Sequence, residues 1–209
     1  MYRAADMSEH AESYFAAAAD LCRAVSLELV DAMAERLAAI RSGGGRLFIL
    51  GVGGGAAHAS HAVNDFRKLC HIESYTPTDN VAELTARTND EGWETSFVEW
   101  LRTSRLASGD GVLVFSVGGG SREHNVSMNL VLALEHAKQV GATILGVVGS
   151  PDGTTAKIGD AVVVVDAPAA LKTPLVESMQ AVVWHGLVAH PTLLAQAGKW
   201  ESVESGAAR

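Results

Sequence analysis

Two stretches of the chain place histidines and acidic residues at helical spacing. In the first, His58, His61 and Asp65 recur at intervals of three and four residues after a run of glycines. His61 and Asp65, at positions i and i+4, share one face of a helix, where they could bind one metal ion or act together on a substrate. The pattern therefore indicates a chemical centre on this helix.

The second stretch lies near the end of the chain, in a predicted helix that is otherwise apolar. Its candidates are Glu177, Gln180 and His185. Glu177 and His185 are separated by about 80° around a helix and two turns along it, so they converge only on something that lies between them. The alternative is structural, with His185 as a hydrogen-bonded core histidine and Glu177 as a solvated acid that the helix dipole favours. Five histidines are interpreted as structural: His58, His71, His124, His136 and His190.

Two glycine runs each follow an apolar strand and precede a helix, namely Gly51–Gly55 and Gly118–Gly120. Glycine lets the backbone approach a ligand closely, and the N-terminus of the following helix offers free N–H groups and a positive dipole end. Both runs therefore predict a site for an anion, most naturally a phosphate. Ser116 and Ser121 flank the second run and can donate hydroxyl hydrogen bonds, and Arg122 adds a positive charge. The alternative is that both runs are tight turns needed only for packing.

The first run also has a second interpretation. Residues 51–56, GVGGGA, satisfy the G-x-G-x-x-G/A pattern of dinucleotide-binding folds, and Glu73 follows about twenty residues later. The strand that would carry this acid, HIESY, is short and polar, which makes a nucleotide cofactor the weaker alternative. A further polar segment, Thr88-Asn89-Asp90, precedes a predicted helix with residue types typical of an N-cap, and it could also reach the ligand edge.

The elements that would position these groups alternate between strand and helix. Apolar periodicity predicts two leading helices within residues 8–41. Further helices are predicted at 56–68, 122–139 and 174–189, with strands at 46–50, 112–116, 143–148 and 161–165. This alternation predicts an α/β three-layer sandwich, in which a central parallel sheet has helices on both faces.

The predicted organisation is a single domain over residues 1–209. It comprises a helical segment at 1–42, a ligand-binding core at 43–195 and a flexible tail at 198–209. Because open parallel sheets bind ligands beyond the carboxyl ends of their strands, both glycine runs are expected at one edge.

The bulk composition narrows the class of protein. The chain has 209 residues, of which 48% are hydrophobic and 19% charged, and a net charge of −8. Its basic residues are scattered, which argues against a nucleic-acid surface. It has no apolar run near the roughly 20 residues needed to span a bilayer, and its start lacks the order of a signal peptide. These features predict a cytoplasmic protein that binds neither nucleic acid nor membrane.

Taken together, these motifs resemble those of the phosphoheptose isomerases, a branch of the sugar isomerase (SIS) fold. The resemblance covers nearly the whole chain. In this family a G-N-G-G-S-A turn precedes a helix with H-x-x-x-E, and residues 51–56 with His61 and Asp65 match this pair of motifs. The family motif N-D is matched by Asn89-Asp90, and its phosphate loop S-T-S-G-N-S by residues 116–121. Its last helix carries a Q and an H eight residues apart, which are matched by Glu177 and His185.

The resemblance implies a ketose–aldose isomerisation of D-sedoheptulose 7-phosphate to D-glycero-D-manno-heptose 7-phosphate through an enediol. It implies Asp65 and His185 as the catalytic acid and base, and a divalent metal, most naturally zinc, held by His61, Asp65, Glu177 and His185. The implied substrate-binding residues are Gly53, Gly54, Gly55, Asn89, Asp90, Ser116, Gly118, Gly119, Gly120 and Ser121. Family members are homotetramers with sites at subunit interfaces. The alternative is a non-catalytic SIS protein of the kind that binds and regulates a replication initiator.

The chain departs from the family pattern at several of these positions. Asp65 replaces Glu and is one methylene shorter, which sets its carboxylate roughly 1.5 Å further back. Glu177 replaces Gln and adds a negative charge that favours a divalent metal. Val52, Val117 and Gly118 stand where the family has polar residues that contact the sugar phosphate. These departures point to a related phosphosugar as a possible substrate.

Overall fold

A computed structural model describes residues 4–204 of the chain, with side chains described from residue 9 onward. The helices are α1 Ala4–Ala24, α2 Leu27–Ser42, α3 Gly54–Cys70, α4 Val81–Asp90, α5 Ser96–Thr103, α6 Met128–Val140, α7 Thr154–Ile158, α8 Lys172–Val188 and α9 Lys199–Glu204. The strands are β1 Leu47–Gly51, β2 Ser74–Tyr75, β3 Gly111–Ser116, β4 Thr143–Val148 and β5 Ala161–Val164.

The five strands form one parallel sheet in the order β2-β1-β3-β4-β5. The strand order reverses at β1, so the chain leaves β1 and β3 toward opposite sides of the sheet. Ligands of open parallel sheets bind in the crevice at such a switch point, beyond the carboxyl ends of the strands. Both glycine runs lie there, because Gly51 ends β1 and Ser116 ends β3.

Two apolar layers cover the faces of the sheet. Side chains alternate along a strand, so Leu47 and Ile49 face one layer while Phe48 and Leu50 face the other. The first layer contains the buried faces of α2, α3 and α8, and the second contains those of α5 and α6. The predicted three-layer α/β architecture with two leading helices is confirmed.

The leading helix α1 packs along α8. Tyr14 Oη lies 3.3 Å from Ser178 Oγ, and Cys22 Sγ lies 3.6 Å from Met179 Sδ. Between residues 4 and 204, no helix combines the length and the apolar character required to cross a bilayer.

Two sequence expectations about the elements are wrong. Thr88, Asn89 and Asp90 form the last turn of α4 and do not cap the helix that follows, since α5 begins at Ser96 with Thr95 as its N-cap. The helix predicted at 122–139 begins only at Met128, since residues 121 and 126 pair across a short loop. The segment 198–209, for which a flexible tail is predicted, contains α9, and its residues 205–209 lie outside the described part of the chain.

Candidate active site

The first glycine turn brings α3 into direct contact with the sheet. A Cβ on Gly51 would lie 2.2 Å from the carbonyl oxygen of Gly55, and a Cβ on Gly55 would lie 2.4 Å from that of Phe115. These distances are far inside van der Waals contact, so only glycine permits this approach. The turn therefore fixes where α3 starts and which of its side chains face α8.

Helices α3 and α8 together assemble a group of three ionisable side chains. His61 Nε2 lies 3.6 Å from Asp65 Oδ2, and His185 Nε2 lies 4.0 Å from the same oxygen. One ligand atom from each of the three residues lies within 4.8 Å of the other two. The Asp65 side chain is only 14% exposed, whereas those of His61 and His185 are 59% and 51% exposed. A largely desolvated carboxylate thus faces two accessible imidazoles, an arrangement suited to moving protons on a bound substrate.

Trp184 and a backbone carbonyl orient the imidazole of His185. The Trp184 ring stacks on it with a centroid separation of 3.5 Å and also makes an edge contact with His61 at 4.7 Å. His185 Nδ1 lies 2.7 Å from the carbonyl oxygen of Ala181, which can only accept a hydrogen bond. The proton is therefore held on Nδ1, and the lone pair of Nε2 is free on the side of Asp65.

His58 adjoins this group, although the sequence analysis assigned it a structural role. It lines one cavity with Ala57, His61, Ala181, Trp184 and His185. Burial lowers the pKa of His58, opposed by the negative charge of Glu177. Its Nδ1 is buried and has no partner among the described residues. His58 therefore adjoins the three-residue group, and its burial favours the uncharged imidazole.

The three converging side chains fit a divalent metal, and zinc in particular. Two imidazole nitrogens and one carboxylate oxygen are a donor set found in catalytic zinc sites, which keep a fourth position open. The two measured distances to Asp65 approach the separation of about 3.4 Å expected between ligands of one tetrahedral zinc ion.

Glu177, the fourth residue of the expected metal set, does not join this group. It lies two turns earlier on α8, and its carboxylate occupies the space beside Gly54, where a Cβ would come within 2.6 Å of it. The missing side chain of Gly54 makes room for this carboxylate. Within one protomer, the structure thus groups three of the four residues expected to hold the metal.

A second cavity, of about 210 Å³, lies at the switch point between the two glycine turns. Its lining residues are Val52, Gly55, Ser116, Val117, Gly118, Val126, Ser127, Glu177 and Gln180. The Ser116 hydroxyl oxygen accepts a hydrogen bond from the N–H of Gly119 at 3.0 Å, so its own O–H remains available to a ligand. The cavity wall thus combines hydroxyls and glycine backbone with the Glu177 carboxylate.

Only part of the expected phosphate loop reaches this cavity. Gly119 and Gly120 pack instead against the start of α7, where their carbonyl groups accept hydrogen bonds from the N–H groups of Thr155 and Thr154. Ser121 forms a two-way backbone pair with Val126, and its hydroxyl accepts from the N–H of His124. None of these three expected residues lines the cavity.

Val126 and Ser127 line the cavity where the sequence predicts Gly119, Gly120 and Ser121. Ser127 precedes α6 with a φ of 51°, and its hydroxyl does not cap the helix. The sequence contains a signal for this helix start, since serine is typical of the position directly before an apolar run such as MNLVLAL. Arg122 pairs with Glu135 at 2.7 Å on the protein surface, and its charge is thereby directed toward α6.

The remaining expected residues lie apart from both cavities. Asn89 and Asp90 are exposed at the end of α4, where the Asn89 amide donates to the Asp90 carboxylate at 2.7 Å. Gly53 and Gly54 belong to the first turn but do not line the switch-point cavity, which includes Gly55 from that run.

Comparisons with known proteins relate the chain to phosphoheptose isomerases. No family model matches the chain. It is 34% identical over 159 residues to the lincomycin biosynthesis protein LmbN of Streptomyces lincolnensis; the match covers 70% of this chain and 56% of that longer protein. It is 30% identical over 143 residues to a phosphoheptose isomerase of Mycobacterium bovis, covering 65% of this chain and 68% of that protein. The solved phosphoheptose isomerase of Neisseria gonorrhoeae superposes with a TM-score of 0.74 at 21% identity, over 87% of this chain and 97% of that chain.

Proposed function

Because this chain belongs to the phosphoheptose isomerase family, we propose that it is an aldose–ketose isomerase acting on a phosphorylated sugar. The observation that carries the proposal is the convergence of His61, Asp65 and His185 where α3 packs on α8. Proton transfer between adjacent carbons requires an acid and a base held within reach of both. A structural role for these side chains would not require two imidazoles to face one desolvated carboxylate.

The proposed reaction transfers a proton between carbons 1 and 2 of the sugar through an enediol. Asp65 and His185 are the acid–base pair: one removes a proton from carbon 1 or carbon 2, and the other delivers a proton to the neighbouring position. Because Nδ1 of His185 is engaged by the Ala181 carbonyl, the lone pair of Nε2 is free to accept a proton whenever no metal ion is bound to that nitrogen. Trp184 keeps the ring in this orientation by stacking on it.

The proposed substrate is D-sedoheptulose 7-phosphate, with D-glycero-D-manno-heptose 7-phosphate as the product, or a closely related phosphosugar. We place the phosphate beside Ser116, Gly118 and Ser127, where hydroxyls and backbone N–H groups can donate to it. Val52 and Val117 present apolar surface in this cavity. This surface, together with the similarity to a lincomycin biosynthesis protein, supports testing phosphosugars of secondary metabolism beside the seven-carbon substrate.

The proposal includes a divalent metal, preferably zinc, bound by His61, Asp65 and His185. When bound, such an ion can polarise a carbonyl group and stabilise the charge of an enediolate. Elemental analysis of the purified protein tests this part without any activity measurement. We expect close to one equivalent of metal per chain, and loss of that metal in His61→Ala but not in His136→Ala, which alters a histidine of α6 outside both cavities.

We further propose that the chain assembles into a homotetramer with its sites at subunit interfaces. Apolar side chains that are exposed on the described protomer support an assembly: Phe15 is 70% exposed, Leu27 73% and Val182 51%. Val182 belongs to α8, the helix that carries His185. Sedimentation equilibrium would test the stoichiometry, and a monomer at assay concentration would contradict it.

The activity is tested by incubating the purified protein with D-sedoheptulose 7-phosphate and following the aldose by NMR, with zinc supplied. We expect turnover by the wild type, and strong loss in Asp65→Ala and His185→Ala with His136→Ala as the matched control. Absence of turnover by the wild type would exclude this substrate. Undiminished turnover in both site variants would exclude the mechanism.

A further inference from the structure

Gln180 is a buried polar residue of α8 that the proposed reaction does not use. It is fully buried and forms part of the wall of the switch-point cavity, one turn after Glu177. Its Nε2 donates to the carbonyl oxygen of Val147 at 3.3 Å. Its Oε1 is buried as well and has no hydrogen-bond partner among the described residues.

An unpaired buried acceptor is unfavourable for folding, because the group has lost its water without gaining another partner. Leucine or methionine would fill a similar volume between α8 and the sheet without this cost. The bond from Nε2 to Val147 also determines which end of the amide is the acceptor. A partner that arrives with a ligand would resolve the conflict, and the cavity that Gln180 lines is where such a ligand would bind.

Charge determines which part of a phosphosugar meets Gln180. The Glu177 carboxylate lines the same cavity and repels a phosphate. With the phosphate placed beside Ser116, Gly118 and Ser127, as proposed above, the hydroxyl-bearing carbons of the sugar are left to contact Glu177 and Gln180, which line the same cavity. A hydroxyl is the natural donor to a neutral amide oxygen.

We propose that Gln180 Oε1 accepts a hydrogen bond from a hydroxyl of the bound phosphosugar, and that this contact helps the enzyme select a hydroxylated chain. The inference rests on the proposed function for the class of ligand. It assigns Gln180 to recognition of the sugar and not of the phosphate, so the two kinds of ligand should respond differently to its replacement. A site that hydrogen-bonds a hydroxyl rejects analogues that lack it, because its buried acceptor is then left unpaired.

The test compares Gln180→Met with the wild type by calorimetric titration of two probes, D-sedoheptulose 7-phosphate and inorganic phosphate. We expect the sugar phosphate to bind about threefold to tenfold more weakly to the variant, the loss expected for one neutral hydrogen bond. Inorganic phosphate should bind with unchanged affinity. Gln139→Met, which makes the same replacement on the exposed face of α6, is the control and should alter neither affinity.

Thermal unfolding of the ligand-free proteins separates recognition from a structural role. If Gln180 serves recognition, Gln180→Met should unfold near the wild-type temperature, because the variant loses the Val147 bond but also the unpaired oxygen. Equal weakening of both probes, or of neither, would overturn the inference, as would a large fall in unfolding temperature with unchanged sugar-phosphate affinity.

Binding and turnover also distinguish this inference from the proposed function. If the wild type binds the sugar phosphate without converting it, the proposed reaction fails while the Gln180 comparison still decides the contact. If the wild type binds inorganic phosphate but neither D-sedoheptulose 7-phosphate nor fructose 6-phosphate, the inference about a sugar hydroxyl fails as well.

Discussion

The two glycine turns have similar sequences but different surroundings. At Gly55 of the first turn, the neighbours exclude a side chain, since a Cβ would lie 2.4 Å from a backbone oxygen of β3. At the second turn, a Cβ on Gly118 would meet nothing within 4 Å. The first turn is a packing contact that positions α3, whereas the second leaves open space at the end of β3.

The difference shows that a glycine run at the edge of a parallel sheet can serve either of two purposes. In this chain the first turn contributes indirectly, because it fixes the position of α3 and therefore which of its side chains, among them His61 and Asp65, face α8. The second turn acts directly, by lining the cavity with backbone and with the hydroxyl of Ser116. The first turn thus positions the helix of His61 and Asp65, while the second contributes the hydroxyl of Ser116 to a cavity wall that Val52 and Gly55 of the first turn help to form.

The largest effect is expected on kcat, from the substitution Asp65→Asn. Loss of the carboxylate removes one member of the proposed acid–base pair, so kcat should fall by about 10²–10⁴-fold. The affinity for inorganic phosphate should not change, because Asp65 does not line the switch-point cavity. Steady-state kinetics and phosphate titration measure the two quantities.

Asp65→Glu is the matched control for that prediction. It keeps the carboxylate and has the side-chain length found in the resembled family, so we expect kcat within about tenfold of the wild type. If Asp65→Asn were as active as the wild type, or if it also lost phosphate binding, the division of labour between the two turns would be incorrect.

Much of this division could be predicted from the sequence, because it depends on local patterns. Apolar runs of strand length, each followed by glycines and a helix, predict a parallel sheet with both turns at one edge. The i, i+4 spacing of His61 and Asp65 predicts that they share a face, and the structure places them 3.6 Å apart. Glu177 and His185 lie two helical turns apart, so their spacing alone did not predict that they share one site, and the structure groups His185 with His61 and Asp65 without Glu177.

The parts that could not be predicted depend on tertiary contacts. The pairing of Ser121 with Val126 displaces the start of α6, and no periodicity in the sequence indicates such a pair. Trp184 is adjacent to His185 in the sequence, yet its stacking on that ring follows from how α8 packs on α3. The orphan oxygen of Gln180 appears only when the surrounding side chains are known.

The second prediction tests the packing role of the first turn through Gly55→Ala. The added methyl group would collide with the backbone carbonyl of Phe115, which cannot move without disturbing β3. We expect the free energy of unfolding to fall by about 3 kcal/mol, the upper range for overpacking a rigid site. Urea denaturation at matched protein concentration measures it, and a loss below about 0.5 kcal/mol would show that the turn can relax.

The third prediction tests the binding role of the second turn through Ser127→Ala. The hydroxyl of Ser127 lines the cavity and does not cap α6, so its removal should raise KM for the sugar phosphate about threefold to tenfold. Its kcat should stay near the wild-type value, because the acid–base pair is untouched. Ser121→Ala is the comparison: its hydroxyl is engaged by the His124 N–H outside the cavity, and KM should stay within about twofold of the wild type. A larger rise in Ser121→Ala than in Ser127→Ala would restore the loop assignment made from sequence.

The smallest effect is expected for Gly118→Ala, the counterpart of Gly55→Ala at the second turn. No atom lies within 4 Å of the new methyl group, and Gly118 is not among the glycines with positive φ. The folded state therefore pays no steric cost, and the unfolded chain loses some conformational freedom, which favours folding slightly. The free energy of unfolding should stay within about 0.5 kcal/mol of the wild type. Because the same methyl group projects beside the cavity, phosphate affinity is the quantity that can change. A loss of stability comparable to that of Gly55→Ala would mean that both turns are packing contacts, and the distinction between them would fail.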